Sequence, residues 1–290
     1  GIIESQYQPL RIVDLNGVSM KVDLNHPLAR RDISVSLRVI GERYAGKEER
    51  GGRCNDVVYE QLNGGPGMQV PAEAGSDFYD EAGFSRVDEL PDTQFYQKER
   101  LIGHIDSQAS AQLSGYYARY LKPGMKVLDF MASWQSHLPD MDLNVTGLGL
   151  NAREMEENPA IQNVVVQDVN AEPKLPFADG EFEMVICNLS VEYLTDPLPV
   201  FAELRRITSA GGKVIMAVSD RWFPPKAIVL WSELHPFERL GLMLDYFLRT
   251  EGMVDLSTET IQGLDRPEDD AHADQRLYSD PLYIVQGTVA

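Results

Sequence analysis

The chain has 290 residues, 43% of them hydrophobic and 24% charged, with a formal net charge of −19 and a pI near 4.6. That length accommodates one large α/β domain with a smaller attachment and a sizeable core. No basic cluster offsets the acidity, which excludes duplex nucleic acid as the main partner, since phosphates need a cationic face.

The same survey bounds the setting. No apolar run reaches the about eighteen residues of a spanning helix, so no membrane is expected, and no secretory signal is read. Cys54 and Cys187 lie far apart, one in loop-like and one in strand-like sequence. A disulfide is therefore not expected, and a reducing cytoplasm is the expected setting. Without closely spaced cysteines no metal is expected.

Residues 1–45 read as short β-strands. Segments 10–15, 19–24 and 33–40 alternate or run apolar, and Asn16-Gly17 is a hairpin signal between the first two. The string Leu24-Asn25-His26-Pro27-Leu28-Ala29 and the long strand after it resemble the closing strands of bacterial FKBP-type prolyl isomerases. That family's pocket lies outside the matched strings, so the resemblance implies architecture and not isomerase activity. His26 reads as a ligand or as a turn residue bonding the backbone. Three strands bury little alone, so packing on the main domain or on a second copy, a homodimer, is expected.

Residues 46–98 form a connector broken by Gly51-Gly52, Gly64-Gly65-Pro66-Gly67 and Pro71. Its second half is acidic and aromatic, with Phe78, Tyr79, Phe84, Phe95 and Tyr96, and reads either as a drape over the main domain or as a substrate lid. From 99 to 290 a third unit follows. Residues 100–121 are helical in character: Leu101, Ile105, Ala109, Leu113, Tyr116, Tyr117 and Tyr120 recur at steps of three and four. Asp106 or Ser107 is the expected cap.

Strands and helices then alternate. Strands are expected at 125–130, 143–150, 161–166, 181–188 and 213–219, with a closing pair at 253–261 and 281–289. Helices are expected at 152–157, 197–207, 224–234 and 236–249, with Gly211-Gly212 breaking the second. Such alternation predicts a Rossmann-like, doubly wound, mostly parallel seven-stranded sheet covered on both faces. Ligands of such sheets sit at the carboxyl ends of the strands, where strand order reverses.

Val127-Leu128-Asp129, the run from Leu175-Pro176-Phe177 to Ile186, the run from Pro197 to Ile207, and Gly211-Gly212-Lys213-Val214-Ile215 occur in an order and spacing similar to class I S-adenosylmethionine-dependent methyltransferases. The resemblance covers residues 122–289. It implies S-adenosylmethionine, or S-adenosylhomocysteine after transfer, as the bound cofactor. Asp129, Phe130, Met131 and Ala132 would line the turn under its methionine part. Asp168 and Val169 would read the adenine. Asn188 and Leu189 would face the transferred methyl. The turn carries Ala132 and Ser133 where the family has glycine. Gly149 stands where the family has a ribose-binding acid, so Asn151 beside Leu150, or water, would substitute.

Around that cradle, His137 is the best-placed general base, since imidazole titrates near neutrality; the other reading is a helix-terminus partner. His104 and Asp106 approach the cofactor's amino-acid end or cap a helix. Trp134, Tyr193, Arg221 and Trp222 are read as substrate contacts, with edge packing as the alternative. Asp129 and Asp168 are also readable as a cap and a loop acid. Three functions stay open: a methyltransferase acting on a small molecule or protein side chain, a non-catalytic binding module on the same fold, and a folding-assistance protein.

Overall fold

A computed structural model of the chain describes residues 11–15, 20–23, 79 and 83–290, with 235 and 275 excepted. Strands β1 (Arg11–Leu15) and β2 (Met20–Asp23) pair antiparallel. The Asn16-Gly17 turn, His26, Cys54, the 33–40 strand and most of the connector lie outside the described residues.

The main sheet has seven strands: β3 (Lys126–Phe130), β4 (Asn144–Gly149), β5 (Asn163–Val166), β6 (Phe182–Asn188), β7 (Thr208–Val218), β8 (Met253–Ile261) and β9 (Leu282–Val289). Their order is β5-β4-β3-β6-β7-β9-β8, parallel from β5 to β7, with β9 antiparallel to both neighbours. The chain moves outward from β3 to β4 and β5, then returns to the other side of β3 as β6. Strand order therefore reverses between β3 and β6, and the carboxyl ends of these two strands open a crevice.

Successive residues of the central strands point into two cores, because side chains alternate across a sheet. Leu128, Phe130, Val185, Cys187, Val214 and Met216 pack on one face with α4 (Pro197–Ile207) and α6 (Pro236–Leu248). Val127, Met184, Ile186, Ile215 and Ala217 pack on the other with Leu113, Tyr116 and Tyr117 of α2 (Ser107–Ala118). Cys187 is buried with a free thiol. Among the described residues no helix is long and apolar enough to cross a membrane, and no His, Cys, Asp and Glu group could hold a metal ion.

Three expected elements differ. Residues 100–106 are not helical: α2 starts only at Ser107, where the Asp106 carboxylate accepts the Ala109 N–H. Gly211-Gly212 does not end α4, which stops at Ile207; the glycines lie in a bulge of β7, between the Phe182–Thr208 and Met184–Lys213 pairs. Gly211 has φ 79° there, and a Cβ on Gly212 would lie 2.8 Å from the Glu183 carbonyl oxygen. The helix expected at 224–234 shrinks to α5 (Val229–Glu233). Two further short helices are α1 (Asp92–Phe95) and α3 (Ala152–Glu156).

Candidate active site

A cavity of about 260 Å³ lies over the carboxyl ends of β3, β4, β5, β6 and β7. Its floor is the turn after β3. Asp129, at the strand's end, is 1% exposed and accepts a 2.6 Å hydrogen bond from Ser136 Oγ. Asn188 is bonded to the Ser136 carbonyl and to Tyr117 Oη, so one polar network ties β3, β6 and α2 together beneath the cavity. Asn158 Nδ2 donates to Ser136 Oγ and to the Ser133 carbonyl, holding the far side of the turn. Among the described residues no cation sits against Asp129, and burial pushes its carboxyl up to about 7.

The turn folds without glycine. Met131 takes φ 57°, the left-handed region that favours glycine. The special backbone position is thus one residue before the Ala132-Ser133 pair that the sequence brings to notice. Ala132 N–H then donates to the Leu148 carbonyl at 2.7 Å, closing the turn over the end of β4.

Gly149 has a steric reason. A Cβ at this position would overlap the Ala132 carbonyl oxygen. No acid can stand there while the turn keeps this course. The nearby carboxylate in the cavity wall is instead Glu154 of α3, which accepts from Ser133 Oγ at 2.7 Å and from the Arg100 N–H at 2.7 Å. Asn151, expected to substitute for the missing acid, is committed elsewhere. Its Oδ1 caps α3 through Arg153 and Glu154 N–H, and its Nδ2 donates to the Tyr96 carbonyl.

Asp168 follows β5 and lines the cavity with Val169. One of its oxygens accepts from the Asn170 and Ala171 N–H groups, which fixes the turn. Asn188, Leu189, Tyr193, Arg221 and Trp222 also reach the cavity, as do Leu150 and Asn151. Two expected contacts do not. Phe130 is fully buried in the core, because the last side chain of β3 points down into the sheet and not up into the crevice. Trp134 turns away from the cavity: its Nε1–H donates to the Ile102 carbonyl at 2.8 Å.

That bond helps to explain the cover. Residues 92–104 cover one side of the cavity, with Asp92, Tyr96, Arg100, Ile102, Gly103 and His104 in its lining. Asp92 is fixed by Arg86 Nη1 at 2.7 Å and by the buried Lys226 ammonium at 3.1 Å. Of the acidic, aromatic stretch expected as a drape or a lid, Asp92 and Tyr96 line the cavity. Asp106 is a cap, and it also exchanges hydrogen bonds with Asp280 across the loop before β9.

His137, with φ 54°, lines the cavity, and its Nδ1 is 2.8 Å from Ser110 Oγ. Burial, aided by nearby His104, pushes its pKa down to about 4. It is therefore an uncharged imidazole at neutral pH. Sequence reasoning missed Glu154, Arg100, Ser136 and Asn158. Ser136 lies between Trp134 and His137, but its bond to Asp129 shows only in the fold; Glu154, Arg100 and Asn158 act through bonds to residues distant in sequence.

Strand order, central crevice and closing antiparallel pair together define a Rossmann-like class I methyltransferase fold. Residues 117–216 match the family described as a methyltransferase domain. A malonyl-[acyl-carrier protein] O-methyltransferase of Erwinia billingiae is 31% identical over 109 residues, which are 37% of this chain and 43% of that protein. The chain thus spans less than half the length of that curated relative. Among solved structures, a SAM dependent methyltransferase from Archaeoglobus fulgidus is 16% identical with TM-score 0.42, covering 62% of this chain and 93% of that one. A phosphoethanolamine N-methyltransferase of Haemonchus contortus, in complex with S-adenosyl-L-methionine, is 13% identical with TM-score 0.42, covering 61% and 52%.

Proposed function

We propose that the chain is an S-adenosylmethionine-dependent methyltransferase acting on a small molecule or a protein side chain. The observation that carries this reading is the close approach at Gly149. Only a residue without Cβ lets the Ala132 turn fold down onto β4, and that leaves a cavity open directly above a glycine-smooth floor. The donor set fits a cofactor of this kind. Carboxylates at Asp168 and Glu154 suit amino and hydroxyl donors, and a concave apolar wall suits a purine.

Met131, Ala132 and Ser133 would hold the methionine part, Asp168 and Val169 the adenine, and Asn188 and Leu189 would face the methyl group. When bound, the cofactor supplies an electrophilic methyl on a sulfonium. This chain then chiefly has to align the acceptor and exclude water. Residues 92–104 exclude water. In the tautomer whose Nδ1–H donates to Ser110 Oγ, His137 leaves Nε2 to accept the acceptor's proton. The structural role of Trp134 is to anchor the cover.

Thermal melting with S-adenosylhomocysteine tests the reading. A ligand at a hundred times its Kd stabilises by about 2.7 kcal/mol, so the melting temperature rises. Asp168→Ala should cut the rise at equal ligand. No rise in the wild type at millimolar ligand sinks the assignment.

A further inference from the structure

Apart from Asp92, which is paired with Arg86 and Lys226, the charged side chains lining the cavity stand over different strands. Over β4 and β5 its wall carries the Glu154 and Asp168 carboxylates; over β7 it carries Arg221, Trp222 and Phe223. Arg221 is held from behind. Its Nη1 donates to Asp280 Oδ2 at 3.0 Å, while Asp280 Oδ1 takes Arg266 Nη2 at 2.6 Å. Its second contact, Nη2 to His272 Nε2, is long at 3.4 Å, and the side chain stays 30% exposed. A guanidinium has five donors, and Arg221, with these two contacts, lines the cavity.

Arg100 approaches the same end from the cover. Its guanidinium lies 4.5 Å from the Phe95 ring centroid and 5.4 Å from that of Phe223. Nη2 donates to the Phe95 carbonyl, and Nη1 is buried with no partner among the described residues. His104 lies edge-on to Phe223, at 5.8 Å. Burial and both arginines hold its pKa below the usual imidazole value, against a pull from Glu154. Two fixed cations, an uncharged imidazole and aromatic walls thus meet at one end of the cleft.

We propose that this end binds the carboxylate of the methyl acceptor, a small organic acid with a flat body, with Arg221 as its anchor and Arg100 beside it. Planar guanidinium donors match a carboxylate in geometry as well as charge. The flat body would lie against Trp222 and Phe223. This assignment rests on the methyltransferase reading, and it concerns the half of the cleft not assigned there to adenosine.

The test uses the full chain saturated with S-adenosylhomocysteine. Benzoate, phenylacetate, cinnamate, malonate and succinate are titrated by ligand-observed NMR, each beside its amide. At least one acid should bind ten times more tightly than its amide. Arg221→Gln should weaken that acid at least tenfold, and Arg221→Lys should keep part of the affinity. Affinity for S-adenosylhomocysteine should change less than twofold. Near-ultraviolet circular dichroism checks folding, and the lysine variant keeps the ion pair to Asp280 if the glutamine variant does not fold. Equal binding of acids and amides, or no binding by any acid, overturns the proposal. So does a loss confined to S-adenosylhomocysteine that spares 5′-methylthioadenosine, since the site would then hold the cofactor's own carboxylate. If S-adenosylhomocysteine does not bind the wild type at all, the methyltransferase reading fails instead, and the acid titration is still read on the free protein.

Discussion

At the scale of single residues, two positions beneath the cavity run against ordinary preference. Met131 holds φ 57° where a side chain costs about 1–2 kcal/mol. Its side chain recovers part of that by packing on the core. Met131→Gly should therefore change stability by less than about 1 kcal/mol, the gain in backbone freedom offsetting the lost packing. Met131→Val, with a branched Cβ in the same backbone region, should destabilise by about 1–3 kcal/mol. Urea unfolding of the pair separates the two; equal losses would mean that the backbone there is not left-handed. The second position is Asp129, whose folded-state pKa is raised to about 7. Between pH 4 and pH 7 the folded protein keeps a proton that the unfolded chain releases. Ionising the unfolded chain therefore lowers stability as pH rises through that window, by an amount on the order of a few kcal/mol, and the loss levels off above it. Buried His137, lowered to about 4, acts in the opposite sense: its contribution is lost as pH falls from 6.5 toward 4. The difference between Asp129→Asn and the wild type removes that common background. It should favour the variant increasingly from pH 4 to 7 and stay flat beyond. A difference independent of pH would show that Asp129 is ionised throughout. Asp129 was legible as an acid ending a strand. Its charge state was not, because that depends on its burial in the fold, which outweighs the hydrogen bonds from Ser136 and Asn188.

At the scale of elements, the cover over the cleft hangs on a few polar bonds. Asn151 is the clearest: one amide caps α3 and grips the Tyr96 carbonyl. Asn151→Ala should cost about 1 kcal/mol as a lost cap. It should also speed amide hydrogen exchange across 96–104 while leaving the sheet protected. Unchanged exchange in the cover would show that the Tyr96 bond does not hold it. Trp134→Phe, which removes the donor to Ile102, should loosen the same segment by about 1 kcal/mol. The elements also show where pattern reading stops. Periodicity placed α2 correctly at Ala109, Leu113, Tyr116 and Tyr117, all buried. It overran to residue 100 because Leu101 kept the spacing, although Leu101 is exposed. Residue Arg100 bonds to Glu154 instead of continuing a helix, a tertiary override that no local window contains. The Gly211-Gly212 pair was read as a helix stop, but its use is a bulge pressed against Glu183.

At the scale of the whole molecule, the alternation of strands and helices was enough for the sheet. Each parallel strand here is a short apolar run bounded by turn signals, and right-handed crossovers leave few other arrangements. The crevice followed from strand order. Its lining followed only in part: Asp129, Asp168, Asn188 and Leu189 were expected from the family resemblance and line the cavity, while Glu154 and Arg100 depend on how residues 92–104 fold back. The acidity of the chain is a whole-molecule property as well, and self-repulsion at net charge −19 should ease with salt. Cofactor binding depends on the cavity above Gly149 and Ala132. Isothermal calorimetry with S-adenosylhomocysteine measures it most directly. One ligand per chain is the predicted result, with affinity lost when Gly149→Asp pushes the turn upward. No heat at millimolar ligand with folded wild-type protein would contradict it.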